Sequence, residues 1–315
     1  MQLTEAVNLA IHEKMTLDKN VIYLGEDVES ALRGFSKGLI EEFGTSRVRE
    51  CPISEQGFVG VGIGTALNGS RSIIDLQISS LVYIAFDQIV NQALKLPQML
   101  GGNINLPITF IIPCGSRRAL AGQHSDNPYA LLLHMGMECY MPSTVNEAYH
   151  LTKRALLLNK PSAIFVPVHL MGISGEINKN QELNSLDFDM VSQGDKVTVI
   201  TNGSTCSYVK EIFQERNNSS EVDHINISCL NCQMPEIVIQ SANKTKKLVV
   251  IDDSNEKSGW GESIIAQIVT HVNFSKCRVH NIARKGYVVP FAWELEQEVI
   301  VQKNRIKKLF LCYGV

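Results

Sequence analysis

The sequence predicts an α/β fold: a parallel sheet with helices on both faces, followed by a smaller α/β domain. Three observations carry this. Short apolar runs at residues 21–24, 72–76, 108–112, 139–141 and 163–167 have the length and continuity of strands buried on both faces. Between them, residues 3–15, 57–67, 84–99 and 145–158 carry helical spacing. The alternation halts over residues 172–190, rich in Gly, Asn, Ser and Glu, and then resumes.

The elements follow in order. Leu3, Ala6, Val7, Ala10 and Ile11 repeat on one helical face, so a helix opens the chain. A strand, a glycine-rich helix over 57–67, and a second strand come next. The helix over 84–99 precedes the longest apolar run, at 108–112, and the helix over 145–158 connects the last two strands. Beyond the break, strands at 197–200, 222–227 and 247–251 alternate with helices near 206–216, 235–241 and 260–271. The implied division is a first domain over 1–175, a linker over 176–190 and a second domain over 191–315.

Composition narrows the function classes. The 315 residues are 44% hydrophobic and 19% charged, with a formal net charge of -3. That balance lacks the basic footprint of a nucleic-acid binder. The basic runs at 244–247 and 305–308 read as solvated ends of helices or strands. Eight scattered cysteines do not make a disulfide scaffold. No apolar run approaches the roughly 18 residues of a membrane span. No leader pattern is read at the start of the sequence. The expectation is a cytoplasmic protein with no membrane and no nucleic-acid partner.

Two segments could carry chemistry. In Cys51-Pro-Ile-Ser-Glu-Gln-Gly-Phe58, Glu55 stands between apolar neighbours and is followed by Gly57, Gly60, Gly62 and Gly64. A carboxyl in such surroundings can hold or share a proton near neutrality. An exposed helix-start glutamate, with glycines used for packing, fits the segment slightly better when it is read alone. The glycines do not satisfy the dinucleotide pattern G-x-G-x-x-G. The second segment, Pro113 to Ser125, follows a strand and contains His124. Loops at the carboxyl ends of parallel strands are where such sheets bind ligands, so His124 could serve as a general acid or base. A loop histidine by itself is more often a plain surface residue. Cys229-Leu-Asn-Cys232 has metal or redox spacing without a second pair, and two structural cysteines are the better reading.

Taken together, the motifs resemble a known family. Pro52-Ile-Ser-Glu55 with Gly57-Phe58, Asp87-Gln88-Ile-Val-Asn91, the loop ending Gln123-His124-Ser125, and Leu24-Gly25-Glu26-Asp27 occur in the order and spacing found in the beta subunits of 2-oxo acid dehydrogenases that use thiamine diphosphate. Further on, Gly194-Asp195, Gly203-Ser204, the run from Val249 to Asp253, Gly259-Trp260-Gly261 and Val289-Pro290-Phe291-Ala292 keep the same order. The similarity spans nearly the whole chain.

The resemblance implies a transketolase-like pyrimidine-binding domain followed by a transketolase-type C-terminal domain. It implies an alpha2beta2 heterotetramer in which an alpha-type subunit supplies the motif that holds Mg2+ and the diphosphate. That motif is missing here, so this chain would hold the aminopyrimidine half of thiamine diphosphate. A second copy of the chain would pair with it. The acyl acceptor would be a lipoyl-domain acyltransferase or an acyl carrier protein. The family also carries K+ at a region corresponding to the 142–146 turn.

By the same resemblance, the Glu55 carboxyl hydrogen-bonds the pyrimidine ring nitrogen and favours the imino tautomer. His124 lies near the thiazolium and substrate, where it either stabilises the intermediate or helps transfer the acyl group, and Glu26 orients the pyrimidine network. The family places an aromatic ring against the pyrimidine where this sequence has Leu81, with Tyr83 the nearby substitute. Arg117 and Arg118 occupy loop positions that are usually small, and with Gln123 they are candidates to meet an anionic substrate or acceptor; solvated loop charges or contacts to the alpha chain fit the two arginines at least as well. Asp126 stands where the branched-chain type often has glutamine. These departures keep two other readings open: a non-oxidative decarboxylase or acyltransferase subunit, and a catalytically silent structural paralogue.

Overall fold

The computed structural model describes residues 1–216, 219–273 and 277–315. The chain divides into two compact units. One comprises Met1–Cys114 with Leu131–Leu183, the other Gly115–Ala130 with Asn184–Val315. The histidine loop therefore belongs to the second unit, although the sequence on either side of it belongs to the first.

The first unit is built on six parallel strands: β1 (Val21–Gly25), β2 (Val48–Glu50), β3 (Arg71–Asp75), β4 (Ile108–Cys114), β5 (Glu138–Tyr140) and β6 (Ser162–Pro167), in the order β2-β1-β3-β4-β6-β5. All seven residues of β4 are buried, which is why its sequence is apolar apart from Thr109. β2 escaped sequence reading because only Val48 of its three residues is buried. The helices, in chain order, are α1 (Leu3–Leu17), α2 (Leu39–Phe43), α3 (Glu55–Leu67), α4 (Leu81–Ile84), α5 (Leu96–Met99), α6 (Ala121–His124, in the histidine loop), α7 (Tyr129–His134) and α8 (Val145–Leu157).

α1 buries the expected stripe of Leu3, Ala6, Val7, Ala10, Ile11 and Met15, and packs on α8. Both helices start with a capping box, Gln2 with Glu5 and Thr144 with Glu147. α3 lies against the sheet through Gly62, where an added Cβ would come within 2.7 Å of the Ile74 side chain. The single helix expected over 84–99 is divided instead. A π-helical stretch over Gln88–Lys95 separates α4 from α5, and Pro97 sits at the start of α5. Proline offers no N–H to the carbonyl four residues earlier, so the regular α ladder cannot run through it.

The second unit has β7 (Phe188–Ser192), β8 (Val197–Thr201), β9 (Val222–Ile227), β10 (Lys247–Asn255) and β11 (Arg278–Arg284), ordered β11-β10-β8-β9-β7. Its neighbours are parallel except β7, which runs antiparallel to β9. Residues 188–190, read as linker, are thus strand. β7 is an edge strand with no fully buried residue, so no apolar run marks it. α9 (Gly203–Arg216), α10 (Glu236–Thr245), α11 (Trp260–Val269), α12 (Trp293–Val299) and α13 (Lys303–Cys312) surround the sheet. α13 inserts Ile306 and Phe310 into the core, with the Phe310 ring 4.8 Å from that of Phe213.

The two basic runs are not simply solvated. Lys244 pairs with nearly buried Asp223 at 2.5 Å, Arg305 donates to the Ala283 carbonyl at 2.7 Å, and Lys307 pairs with Glu215 at 2.5 Å. Among the described residues, no helix is long and apolar enough to cross a membrane.

Candidate functional site

In the first unit, acidic and polar side chains gather at the carboxyl ends of β1, β2 and β3. β1 ends at Gly25, where an added Cβ would lie 2.6 Å from the Asp75 carbonyl oxygen, so the strands close tightly there and Glu26 follows at once. β3 ends at Asp75, which is 1% exposed. The Tyr23 hydroxyl donates to Asp75 at 2.6 Å, and the Gln77 amide donates to it at 3.0 Å. Burial still pushes the Asp75 carboxyl up to about 6, and nearby Glu26 adds to the rise. Burial and the adjacent Asp75 push the Tyr23 phenol well above its usual range.

Gln77 ties this group to Glu26. Its backbone is left-handed (φ 53), it is buried, and its side-chain amide donates to the Glu26 carbonyl at 3.1 Å. The Gln77 Oε1 and Glu26 Oε2 atoms are both buried without a hydrogen-bond partner among the described residues. Burial raises the Glu26 carboxyl, and the like charge of Glu55 raises it next, ahead of Asp27 and Glu50. Glu50, by contrast, is satisfied by the amides of Asp27 and Glu29 at 2.7 and 2.8 Å.

Glu55 is the first residue of α3 and is 4% exposed. The exposed helix-start glutamate that the segment alone favours is therefore replaced by a helix-start glutamate held inside. α4 packs on α3 and carries half-buried Leu81 and exposed Tyr83. The structure thus collects Glu26, Glu55, Leu81 and Tyr83 on neighbouring elements of one unit. Two buried acceptor oxygens without donors, beside a carboxyl that the like charge of Glu55 helps to raise, form a site suited to a donor-bearing ligand.

In the second unit, Gln123 and His124 are exposed on the short helix α6. Arg118 is also exposed, but Arg117 turns inward. Its guanidinium donates to the Val301 carbonyl at 2.6 Å, approaches Asp253 at 3.4 Å and stacks 4.3 Å from the Tyr208 ring centre. Burial pushes the Tyr208 phenol up, and Asp253 pushes it further against the opposing influence of Arg117. With these partners the Arg117 fork is committed within its own unit. Glu55 and His124 belong to different units.

Sequence reading missed Tyr23, Asp75 and Gln77, which form the floor of the first cluster. Asp75 had one visible signal, a carboxylate directly after two isoleucines at a strand end. In the second unit, Asp252 and Asp253 were noticed as a motif, but their role was not. Asp252 is fully buried and accepts from Tyr129, the Ser254 hydroxyl and amide, Asn202 and Gly261. The Gly259-Trp260-Gly261 motif therefore exists to seat an amide on this carboxylate. The Trp260 ring N–H donates to the Leu230 carbonyl at 3.0 Å, between Cys229 and Cys232, neither of which forms a disulfide. Among the described residues, no group of three or more His, Cys, Asp or Glu side chains could hold a metal ion. At the 142–146 turn, the adjoining carboxylate of Glu147 accepts from the Ser143 amide and hydroxyl, each at 2.6 Å.

Residues 1–172 match the transketolase pyrimidine-binding domain, and residues 187–306 match the transketolase C-terminal domain. The chain is 30% identical to the pyruvate dehydrogenase E1 component subunit beta of Rhizobium meliloti, over 94% of this chain and 66% of that protein. It is 29% identical to the protein of the same name from Rickettsia bellii, over 99% of each. It is 28% identical to the acetoin:2,6-dichlorophenolindophenol oxidoreductase subunit beta of Bacillus subtilis, over 99% of this chain and 96% of the relative. A solved structure described as a split gene transketolase, inactive beta4 tetramer, shares the fold with a TM-score of 0.77 at 15% identity, covering 97% of this chain and 95% of the other. The chain belongs to the transketolase-like family, among the beta subunits of the 2-oxo acid dehydrogenases.

Proposed function

We propose that this chain is the beta subunit of a thiamine-diphosphate-dependent 2-oxo acid dehydrogenase, which decarboxylates a 2-oxo acid and passes the acyl group to a lipoyl or carrier-protein acceptor. The observation that carries the reading is half-buried Glu26 facing the charge of buried Glu55, with the buried, unpartnered oxygens of Glu26 and Gln77 beside them. An aminopyrimidine fits this set. Its exocyclic amine supplies donors for the orphan oxygens, and its ring nitrogen accepts a proton held by a carboxyl. When bound, thiamine diphosphate supplies the electron sink for loss of carbon dioxide.

The residues of the chain do the rest. Glu55 holds the proton at the ring nitrogen, and Glu26 and Gln77 orient the amine. Leu81 covers the ring with apolar contact, and Tyr83 borders it from the same helix. The apolar cover excludes water, which strengthens each of these polar contacts. His124 serves as the acid or base of acyl transfer, and exposed Arg118 and Gln123 receive the anionic substrate or acceptor.

Mg2+ and the diphosphate fall to an alpha-type partner chain, because the motif that holds them in this family is missing from the sequence. Exposed Ile53, Val61, Tyr83 and Ile84 around the first-unit site give that partner an apolar surface to cover. A second copy would cover exposed Val288, Phe291 and Trp293 of the second unit. A cytoplasmic location goes with this assembly.

Calorimetry with thiamine diphosphate and Mg2+ tests the reading, on this chain alone and in complex with the alpha-type chain. Binding by the complex, abolished by Glu55→Ala, is the expected result. A complex that binds no cofactor, or binds it equally well in Glu55→Ala, overturns it.

A further inference from the structure

We propose that Arg284 and Glu296 are positioning residues for His124: the second unit grips the histidine loop by both arms and fixes it before any cofactor or substrate arrives. This rests on the assignment of His124 to acyl transfer.

The loop cannot hold its own shape. Arg117, Ala119 and Ala121 all have left-handed backbone, with φ of 80°, 51° and 60°. Three such non-glycine residues within five positions persist only where the surroundings determine them. Those surroundings are specific. On the entering arm, the fully buried carboxylate of Glu296 accepts from the Arg117 amide at 2.8 Å and the Ala119 amide at 3.2 Å. The Arg117 side chain locks the same arm to Val301, Asp253 and Tyr208.

On the leaving arm, Arg284 is 2% exposed and sits at the end of β11. Its guanidinium donates to the Ser125 carbonyl at 3.2 Å and to the Asp126 carboxylate at 2.7 Å, and its remaining contacts fix it on Asn255. The Gly115 amide closes the base of the loop on the Asp126 carbonyl at 3.0 Å. Asn127 then donates to the Asp253 carbonyl at 2.9 Å.

Gly122 sets the crown, since a Cβ there would lie 2.8 Å from the Val288 side chain. His124 is therefore carried between two anchored arms, one residue from the carbonyl that Arg284 holds. Two of the residues that depart from the family pattern, Arg117 and Asp126, supply one ion pair to each arm.

Hydrogen exchange on the full chain reads the grip directly. In Glu296→Gln the amides of Arg117 and Ala119 should exchange at least about tenfold faster than in the wild type, and in Arg284→Lys and Asp126→Asn the Gly115 amide should do the same. Thermal melting confirms that each variant is folded.

In the complex with the alpha-type chain, Arg284→Lys should lower the rate of acyl transfer to a lipoylated domain about tenfold or more, leaving KM for the 2-oxo acid within about twofold. Combined with His124→Ala, Arg284→Lys should cost nothing further, because it acts through His124. Unchanged exchange in folded variants overturns the proposal, as does a transfer defect that persists in full in the His124→Ala background. If His124→Ala itself transfers as fast as wild type, the assignment of His124 fails, and the positioning role falls with it whatever the exchange shows.

Discussion

Two buried aspartates lie at or near the carboxyl ends of parallel strands in the two units, and their surroundings are opposite. Asp252 on β10 accepts from Tyr129, Ser254, Asn202 and Gly261, so every lone-pair direction has a donor. Asp75 on β3 has the Tyr23 hydroxyl and one amide, and beyond it lie Glu26, Glu55 and two orphan oxygens. Burial raises both aspartates. A satisfied buried carboxylate cements a scaffold, whereas an unsatisfied cluster stores a cost that only a ligand or a shared proton removes. Asp252 thus supports its own unit, whereas the cluster around Asp75 stays open to a ligand.

The largest test asks whether the unsatisfied cluster is the working one. Glu55→Gln keeps the size of the side chain but cannot hold the proton in the same way. It should cut the rate of 2-oxo acid decarboxylation by about 100-fold or more, the usual scale of proton-transfer assistance. A rate within about threefold of wild type, measured in the complex with saturating cofactor, would remove Glu55 from the chemistry.

The next test bears on the other aspartate. Asp252→Ala leaves buried donors on Tyr129, Asn202 and Gly261 without an acceptor and should destabilise the chain by about 3 kcal/mol or more. Urea unfolding would measure this. A loss below about 1 kcal/mol would mean that the network is replaceable and the contrast between the two aspartates overstated.

The third test uses pH. Asp75 titrates near 6 in the folded chain, against 3.8 for an ordinary aspartate. The folded state therefore binds more protons between those values, and its stability declines as pH rises through that window. The whole loss is on the order of 3 kcal/mol and is complete about one unit above the folded value, with about 2 kcal/mol of it falling between pH 4.5 and 7. Asp75→Asn removes the titration and still accepts from Tyr23. Its stability should gain on the wild type as pH rises from 4.5 to 7 by about that amount, and a constant difference across the range would place the proton elsewhere.

What could be seen in the sequence follows the same division. Apolar runs report burial, so β1, β3 to β6 and β8 to β10 were legible as strands. Elements that bury little were not: β2 shows one buried residue and β7 none. β11 buries only its last three residues, and these end in Arg284, whose charge hides a core position from any hydrophobicity pattern. Glu55 stood out because a lone acid among apolar residues is locally odd. Asp75 and Gln77 did not, because their partners, Tyr23 and Glu26, come from a strand far back in the chain. Arg117 looked like an anion-binding fork, since nothing local reveals that Asp253, Val301 and Tyr208 already use it.

The smallest expected effect refines the binding side. Leu81 starts α4, half-buried, on the helix that packs against α3. It can cover a pyrimidine by contact, yet it has no ring face. Leu81→Phe adds one, and an aromatic pair contributes about 1 kcal/mol beyond the area it covers. Thiamine diphosphate should then bind the complex about fivefold more tightly, while Glu55→Gln retains its full rate defect in the same background. Because the added atoms are apolar, the gain should survive high salt, which would weaken a merely electrostatic improvement. Unchanged or weaker binding would place Leu81 away from the ring and leave Tyr83 as the residue to vary on α4.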